Sequence, residues 1–73
     1  MMDIEVERIV GERVRELRVR SGVSLRQFSA QNDFNPNVIS RIERGDHNIT
    51  LETLLRLSRA LNTTPAELLR GIT

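Results

Sequence analysis

Apolar residues recur along this chain at three- and four-residue steps and nowhere alternate with polar ones over the length of a strand, so the pattern predicts helices and no sheet. Val6, Val10, Val14 and Leu17 share one face of a first helix over residues 4–20, which Ser21-Gly22 ends as a C-terminal glycine does. Ser24 with Gln27 three positions on is a capping-box pattern for a second helix, with Phe28 as its core anchor. Asn35 caps a third helix and Pro36 takes its first position, where a missing N–H costs nothing. Ile39 and Ile42, with Val38 beside them, face the core until Gly45 stops the helix. Thr50 caps a fourth, with Leu51, Leu54, Leu57 and Leu61 as its apolar stripe. Thr64-Pro65-Ala66-Glu67 combines a capping box with a proline at the first helical position, and a fifth helix ends near Arg70-Gly71.

The stretch SLRQFSAQNDFNPNVISRIERG, residues 24–45, carries most of the functional information. The second helix stops around Asn32-Asp33 and the third opens at Asn35-Pro36, so only two to four residues separate them. So short a link makes the helices cross steeply, which is the geometry of a helix-turn-helix whose second helix can enter the DNA major groove.

Length and composition narrow the picture. Seventy-three residues make one small domain, for which oligomerisation is a common source of extra stability. At 38% hydrophobic the chain is globular, and the lack of Cys removes disulfides and thiolate metal sites and fits a reducing, cytoplasmic setting. Its apolar runs fall short of the roughly 18 residues of a membrane span, and the acidic N-terminus argues against a signal peptide. The net charge of +1 hides an uneven distribution. Residues 1–12 carry Arg8 against Asp3, Glu5, Glu7 and Glu12, whereas residues 13–44 carry seven Arg against Glu16, Asp33 and Glu43. Positive charge therefore gathers in and just before the helix-turn-helix, where a DNA backbone would be met.

These residues resemble the Cro/CI-type (XRE-like) helix-turn-helix family of phage repressors and small bacterial regulators. The similarity runs through VGERVRELR (10–18), SGVS (21–24), ISRIERG (39–45) and LETLLRLSRALNTTPAELL (51–69), about four-fifths of the chain. It implies an all-α, compact five-helix, lambda-repressor-like domain over residues 1–73. It also implies a partly buried ion pair between Arg18 and Glu43 that ties the first helix to the end of the third. Three departures stand out. Leu25 replaces a glutamine that in the family touches a phosphate and braces a base-reading side chain. Asp33 replaces the turn glycine and Asn32 the small residue before it, both being types that tolerate a left-handed backbone. The GDHNIT loop, with Asn48-Ile49-Thr50 where proline is frequent, is similar to that of restriction–modification controller proteins.

On the third helix Pro36, Asn37, Ser40, Arg41 and Arg44 lie opposite the Ile39/Ile42 face. Asn37 has the donor and acceptor for adenine, Arg41 the fork for guanine, and Pro36 only van der Waals contact. The plainer reading makes Asn37 and Arg41 solvated surface residues. Ser24, Arg26, Asn35, Arg44, His47 and Asn48 are candidates for phosphate contact, which positions a domain without reading sequence. His47 is equally readable as a solvated loop residue, and with no second imidazole or thiolate a metal site is not expected. Leu55, Leu68, Leu69 and Ile72 exceed what a small core requires and form a candidate dimer surface, unless they close the core instead. The acidic N-terminal segment is long enough to extend the first helix or to reach a second subunit.

The expected function is a sequence-specific transcriptional regulator that binds double-stranded DNA as a homodimer, without cofactor or small-molecule effector domain. An interaction module of the same fold, an antitoxin or a polymerase-binding protein that does not read DNA, is the alternative, supported by Leu25 and Pro36. An enzyme is excluded by one His, no Cys and a core too small to enclose a substrate cavity of ~300 Å³.

Overall fold

The computed structural model describes residues 4–72, so Asp3, one of the acids of the N-terminal segment, lies outside it. Five helices follow one another: α1 (Ile4–Arg20), α2 (Leu25–Gln31), α3 (Pro36–Glu43), α4 (Leu51–Ala60) and α5 (Pro65–Leu69). The described residues contain no strand. The fold is the all-α, five-helix arrangement that the periodicity predicts, with α1 reaching back to Ile4 and so incorporating the acidic segment from that point on.

The starts of α2, α3, α4 and α5 are each set by a side chain that satisfies an otherwise orphaned N–H. Ser24 Oγ accepts from the Gln27 amide at 3.1 Å while Gln27 Oε1 accepts from the Ser24 amide at 3.0 Å, completing the reciprocal box. Asn35 Oδ1 accepts from the Asn37 amide at 2.8 Å, and Thr50 Oγ1 from that of Thr53 at 3.1 Å. Thr64 Oγ1 caps α5 through the Glu67 amide at 3.1 Å, and the Glu67 carboxylate is taken up by Arg70.

Every helix contributes to one core: Val10 and Val14, Phe28, Ile39 and Ile42, Leu54 and Leu57 with Leu61 just after them, and Leu68. Two expectations are corrected here. Leu51 is not part of the α4 stripe; it sits in the first turn, past the end of the core, and is 85% exposed. Leu68 belongs to the core rather than to a dimer surface, since it is only 1% exposed. In a helix of five residues one position faces inward, and Leu68 takes it, which turns Leu69 outward by about 100°. Ile72 packs part-buried against the core, while Leu55 and Leu69 remain exposed.

Helices α1 and α3 approach each other backbone to backbone. A Cβ on Gly11 would lie 2.1 Å from the Ile42 carbonyl oxygen, so α1 meets the end of α3 at a distance only glycine permits. Gly45, at φ +75°, rests against α1 in turn, where an added Cβ would lie 2.8 Å from Arg8 Cα. Further along α1, Arg18 Nε and Nη2 donate to Glu43 Oε2 at 2.7 Å and Oε1 at 3.0 Å, a two-pronged pairing, while Nη1 donates to the Val23 carbonyl at 2.8 Å. The two side chains are only 11% and 5% exposed, so the ion pair is structural, as the resemblance implies. The hydrogen bond to Glu43 raises the Arg18 pKa above its ordinary value. A raised pKa contributes stability that is complete below the ordinary arginine range and lost only as pH climbs beyond it, so the arginine stays charged across neutral pH.

Two substitutions test these contacts by denaturant unfolding. Gly11→Ala should lower the unfolding free energy by about 3 kcal/mol through overpacking, against the ~1 kcal/mol gain that helix propensity alone would give. Glu43→Ala should cost about 3 kcal/mol by stranding the Arg18 charge, and pairing Arg18→Met with Glu43→Leu should cost clearly less.

Candidate nucleic-acid interface

Residues 32–35 form the turn between α2 and α3. Asp33 adopts φ 56°, the left-handed conformation that the missing glycine would otherwise supply. The Phe34 amide donates to the Ser29 carbonyl at 2.8 Å and Asn32 Nδ2 to the Phe28 carbonyl at 2.9 Å, which closes the end of α2. Phe34 then lies stacked on Phe28, ring centroids 5.9 Å apart, so the turn is plugged into the core. Ser29, fully buried beneath it, satisfies its hydroxyl on the Leu25 carbonyl at 2.8 Å.

From that turn α3 emerges with a divided surface. Ile39 and Ile42 are 0% exposed, and Glu43 is buried on Arg18. Pro36, Asn37, Arg41 and Arg44 are exposed on the other side, with Ser40 half-buried at its edge. Ser24, Arg26 and Asn35 are exposed as well. Asn35 spends Oδ1 on the helix cap, leaving its amide nitrogen as the outward donor, and Ser24, whose oxygen accepts from Gln27, keeps its O–H to donate. In the following loop Asn48 is exposed and His47 half-buried. The loop is tied to α1 by Glu7, a buried carboxylate that accepts from the Ile49 amide at 3.3 Å. Leu25 packs against the core instead of standing free on the surface.

Charge is sorted by element. On α1 and at α5 three arginines are neutralised by acids a turn away: Arg8 by Glu5 and Glu12, Arg20 by Glu16, Arg70 by Glu67. Helix α2 contains no acid and the one acid of α3 is buried, so neither helix exposes a carboxylate. Arg26, Arg41 and Arg44 accordingly form no ion pair with any described residue. Arg15 and Arg59 also form no ion pair but lie on α1 and α4, as do Arg13 and Arg56, which donate to the backbone carbonyls of Leu68 and Asp33. The result is a surface of unneutralised forks and amides suited to phosphates and base edges. Among the described residues no group of three or more His, Cys, Asp or Glu is placed to hold a metal ion, and no helix is long and apolar enough to cross a membrane.

The sequence pattern missed three contributors: Gly11, Glu7 and Arg56, the last of which reaches from α4 to the turn. Each acts on a residue at least 23 positions away, so no local spacing announces it. The glycine alone leaves a trace, as an unneeded helix weakener in the middle of α1.

Comparison with known proteins agrees with this geometry. A helix-turn-helix domain family profile matches residues 9–70. The control protein C.BamHI of Bacillus amyloliquefaciens is 32% identical over 69 residues, covering 93% of this chain and 85% of the relative. The control protein C.SmaI of Serratia marcescens is 33% identical over 66 residues, covering 90% and 79%. The crystal structure of the restriction-modification controller protein C.AhdI from Aeromonas hydrophila superposes with a TM-score of 0.79 at 32% identity, over 85% of this chain and 94% of that one. These relatives are regulators, not enzymes. The chain belongs to the XRE-like helix-turn-helix family, whose members similar to it include restriction–modification control proteins.

Proposed function

We propose that this protein is a sequence-specific double-stranded DNA-binding transcriptional regulator of the restriction–modification controller kind, acting as a homodimer by occupying an operator. The observation that carries this reading is the exposed face of α3, where Asn37, Arg41 and Arg44 are exposed and the two arginines form no ion pair with a described residue, while Ile39 and Ile42 anchor the opposite face. With α3 in the major groove, Arg41 and Asn37 reach base edges, Ser40 adds a hydroxyl and Pro36 an apolar contact. Ser24, Arg26, Asn35, Arg44, His47 and Asn48 meet the flanking phosphates. The half-buried position of Leu25 gives that residue a packing duty, which removes its weight from the interaction-module reading.

One domain reads too few base pairs to be selective in a genome, so two are required, with half-sites about one helical turn, ~34–36 Å, apart. Leu55 on α4 and Leu69 on α5, 41% and 38% exposed, are apolar side chains outside the helix-turn-helix, with Ile72 part-buried against the core. Leu51 joins them: with Val6, Ile49, Leu54 and Leu69 it lines a groove of about 160 Å³. Such a surface matches the unfinished packing of a protomer interface.

Selection of bound sites from a random duplex pool tests the DNA contacts. Arg41→Ala should relax one base position per half-site by about 1–3 kcal/mol, whereas Arg26→Ala should weaken all sequences alike and lower the log–log salt slope by about 1. A selected consensus unchanged by Arg41→Ala would refute the role given to that residue. Leu69→Glu should leave the helical content intact and shift the molecular mass measured in solution from dimer to monomer; a mass that stays dimeric places the interface elsewhere.

A further inference from the structure

Arg56 lies on α4, outside the helix-turn-helix, yet its contacts converge on the turn. Its Nη2 donates to the Asp33 carbonyl at 2.9 Å and, at 3.5 Å, to that of Asn32. Its Cζ stands 4.3 Å from the centre of the Phe34 ring, which is stacked on Phe28. One side chain thus holds both the carbonyl of the left-handed residue and the ring that seats the turn. The turn's own hydrogen bonds, from the Phe34 amide and from Asn32 Nδ2, end on carbonyls of α2 and leave the Asp33 carbonyl untouched.

That arrangement answers a specific problem. Asp33 sits at φ 56°, a conformation that glycine adopts freely and a side chain resists. A relaxed Asp33 would swing the start of α3, because only Phe34 separates it from the Asn35 cap. We propose that Arg56 is a positioning residue that substitutes for the absent turn glycine: it fixes the backbone at Asp33 from α4 and thereby sets the angle at which α3 is presented to DNA. The role rests on the DNA-binding reading of α3 and adds to it a determinant of selectivity that touches no base. Arg59 provides an internal control, since it is a cation on the same helix and beside the same groove but bonds neither turn carbonyl.

The test is a double-substitution cycle of Arg56→Ala and Asp33→Gly, with Arg59→Ala alongside. Binding to the selected operator and to random duplex is measured together with hydrogen exchange of the Phe34 amide, which reports the turn without DNA. Arg56→Ala should weaken operator binding and speed Phe34 exchange by about tenfold, the order of a lost charge-assisted hydrogen bond. Random-duplex affinity should fall no further than in Arg59→Ala. With glycine at 33 the same Arg56→Ala change should cost less than about twofold in both readouts, a non-additivity that only a shared element produces. If the two substitutions act additively, or if Arg56→Ala weakens operator and random duplex equally with a lower salt slope, Arg56 is a phosphate contact or a bystander and the proposal is overturned. Should the unsubstituted protein show no preference for any sequence, the DNA reading fails, and the coupling in Phe34 exchange still decides whether the clamp exists.

Discussion

The contact between α1 and the end of α3 governs the rest of the molecule. At Gly11 the two helices meet with no side chain between them, the Ile42 carbonyl occupying the space where any other residue would carry its Cβ. Gly45 closes on Arg8 from one side of this contact, and the Arg18–Glu43 fork locks the other. These contacts lie at Ile42, Glu43 and Gly45, at the C-terminal end of α3, while its N-terminal end is set by the Asn35 cap and the turn. Helix α3 is therefore held at both ends and along its apolar face, and only the side bearing Asn37 and Arg41 is left to solvent. A two-turn helix has little stability of its own, so its orientation is a property of what grips it.

Electrostatics follow from the same division of labour. Helix α1 is long and solvent-exposed along much of its length, and its charges settle one another through pairs a turn apart. Such exposed pairs add little stability. Their effect is to withdraw Arg8 and Arg20 from the long-range field, while Arg26, Arg41 and Arg44 stay unpaired on elements that expose no carboxylate of their own. Glu43, the one acid on α3, is placed where its charge is cancelled inside the protein. The near-neutral composition of the whole chain thus coexists with a locally basic face, which is what steers an anionic partner to one surface.

The turn shows how a departure from the family pattern is absorbed. Asp33 keeps the left-handed geometry despite its side chain, and the surrounding groups hold it there: Phe34 through stacking, Asn32 through its amide, and Arg56 through the carbonyl. Leu25, a further departure, packs part-buried against the core. In each case the residue is held by contacts from neighbouring elements: Asp33 by Arg56 on α4 and Leu25 by the core.

What the linear chain carried on its own was everything decided within a turn or two of helix. Ser24, Asn35, Thr50 and Thr64 each bond an amide two or three residues ahead, so helix starts could be read from adjacent letters. The division of α3 into Ile39/Ile42 and Asn37/Arg41 faces followed from its period. Pairings across distance could not be read that way. Whether Leu51, Leu55, Leu68 or Leu69 is core or surface depends on how far the other helices extend beside them, and there the pattern misplaced Leu51 and Leu68. The need for glycine at position 11 and the reach of Arg56 to Asp33 arise only when separate helices are brought together. Local hydrogen bonding writes its partners side by side in the chain, whereas steric fit between helices is fixed by three-dimensional placement and leaves almost no mark in sequence spacing.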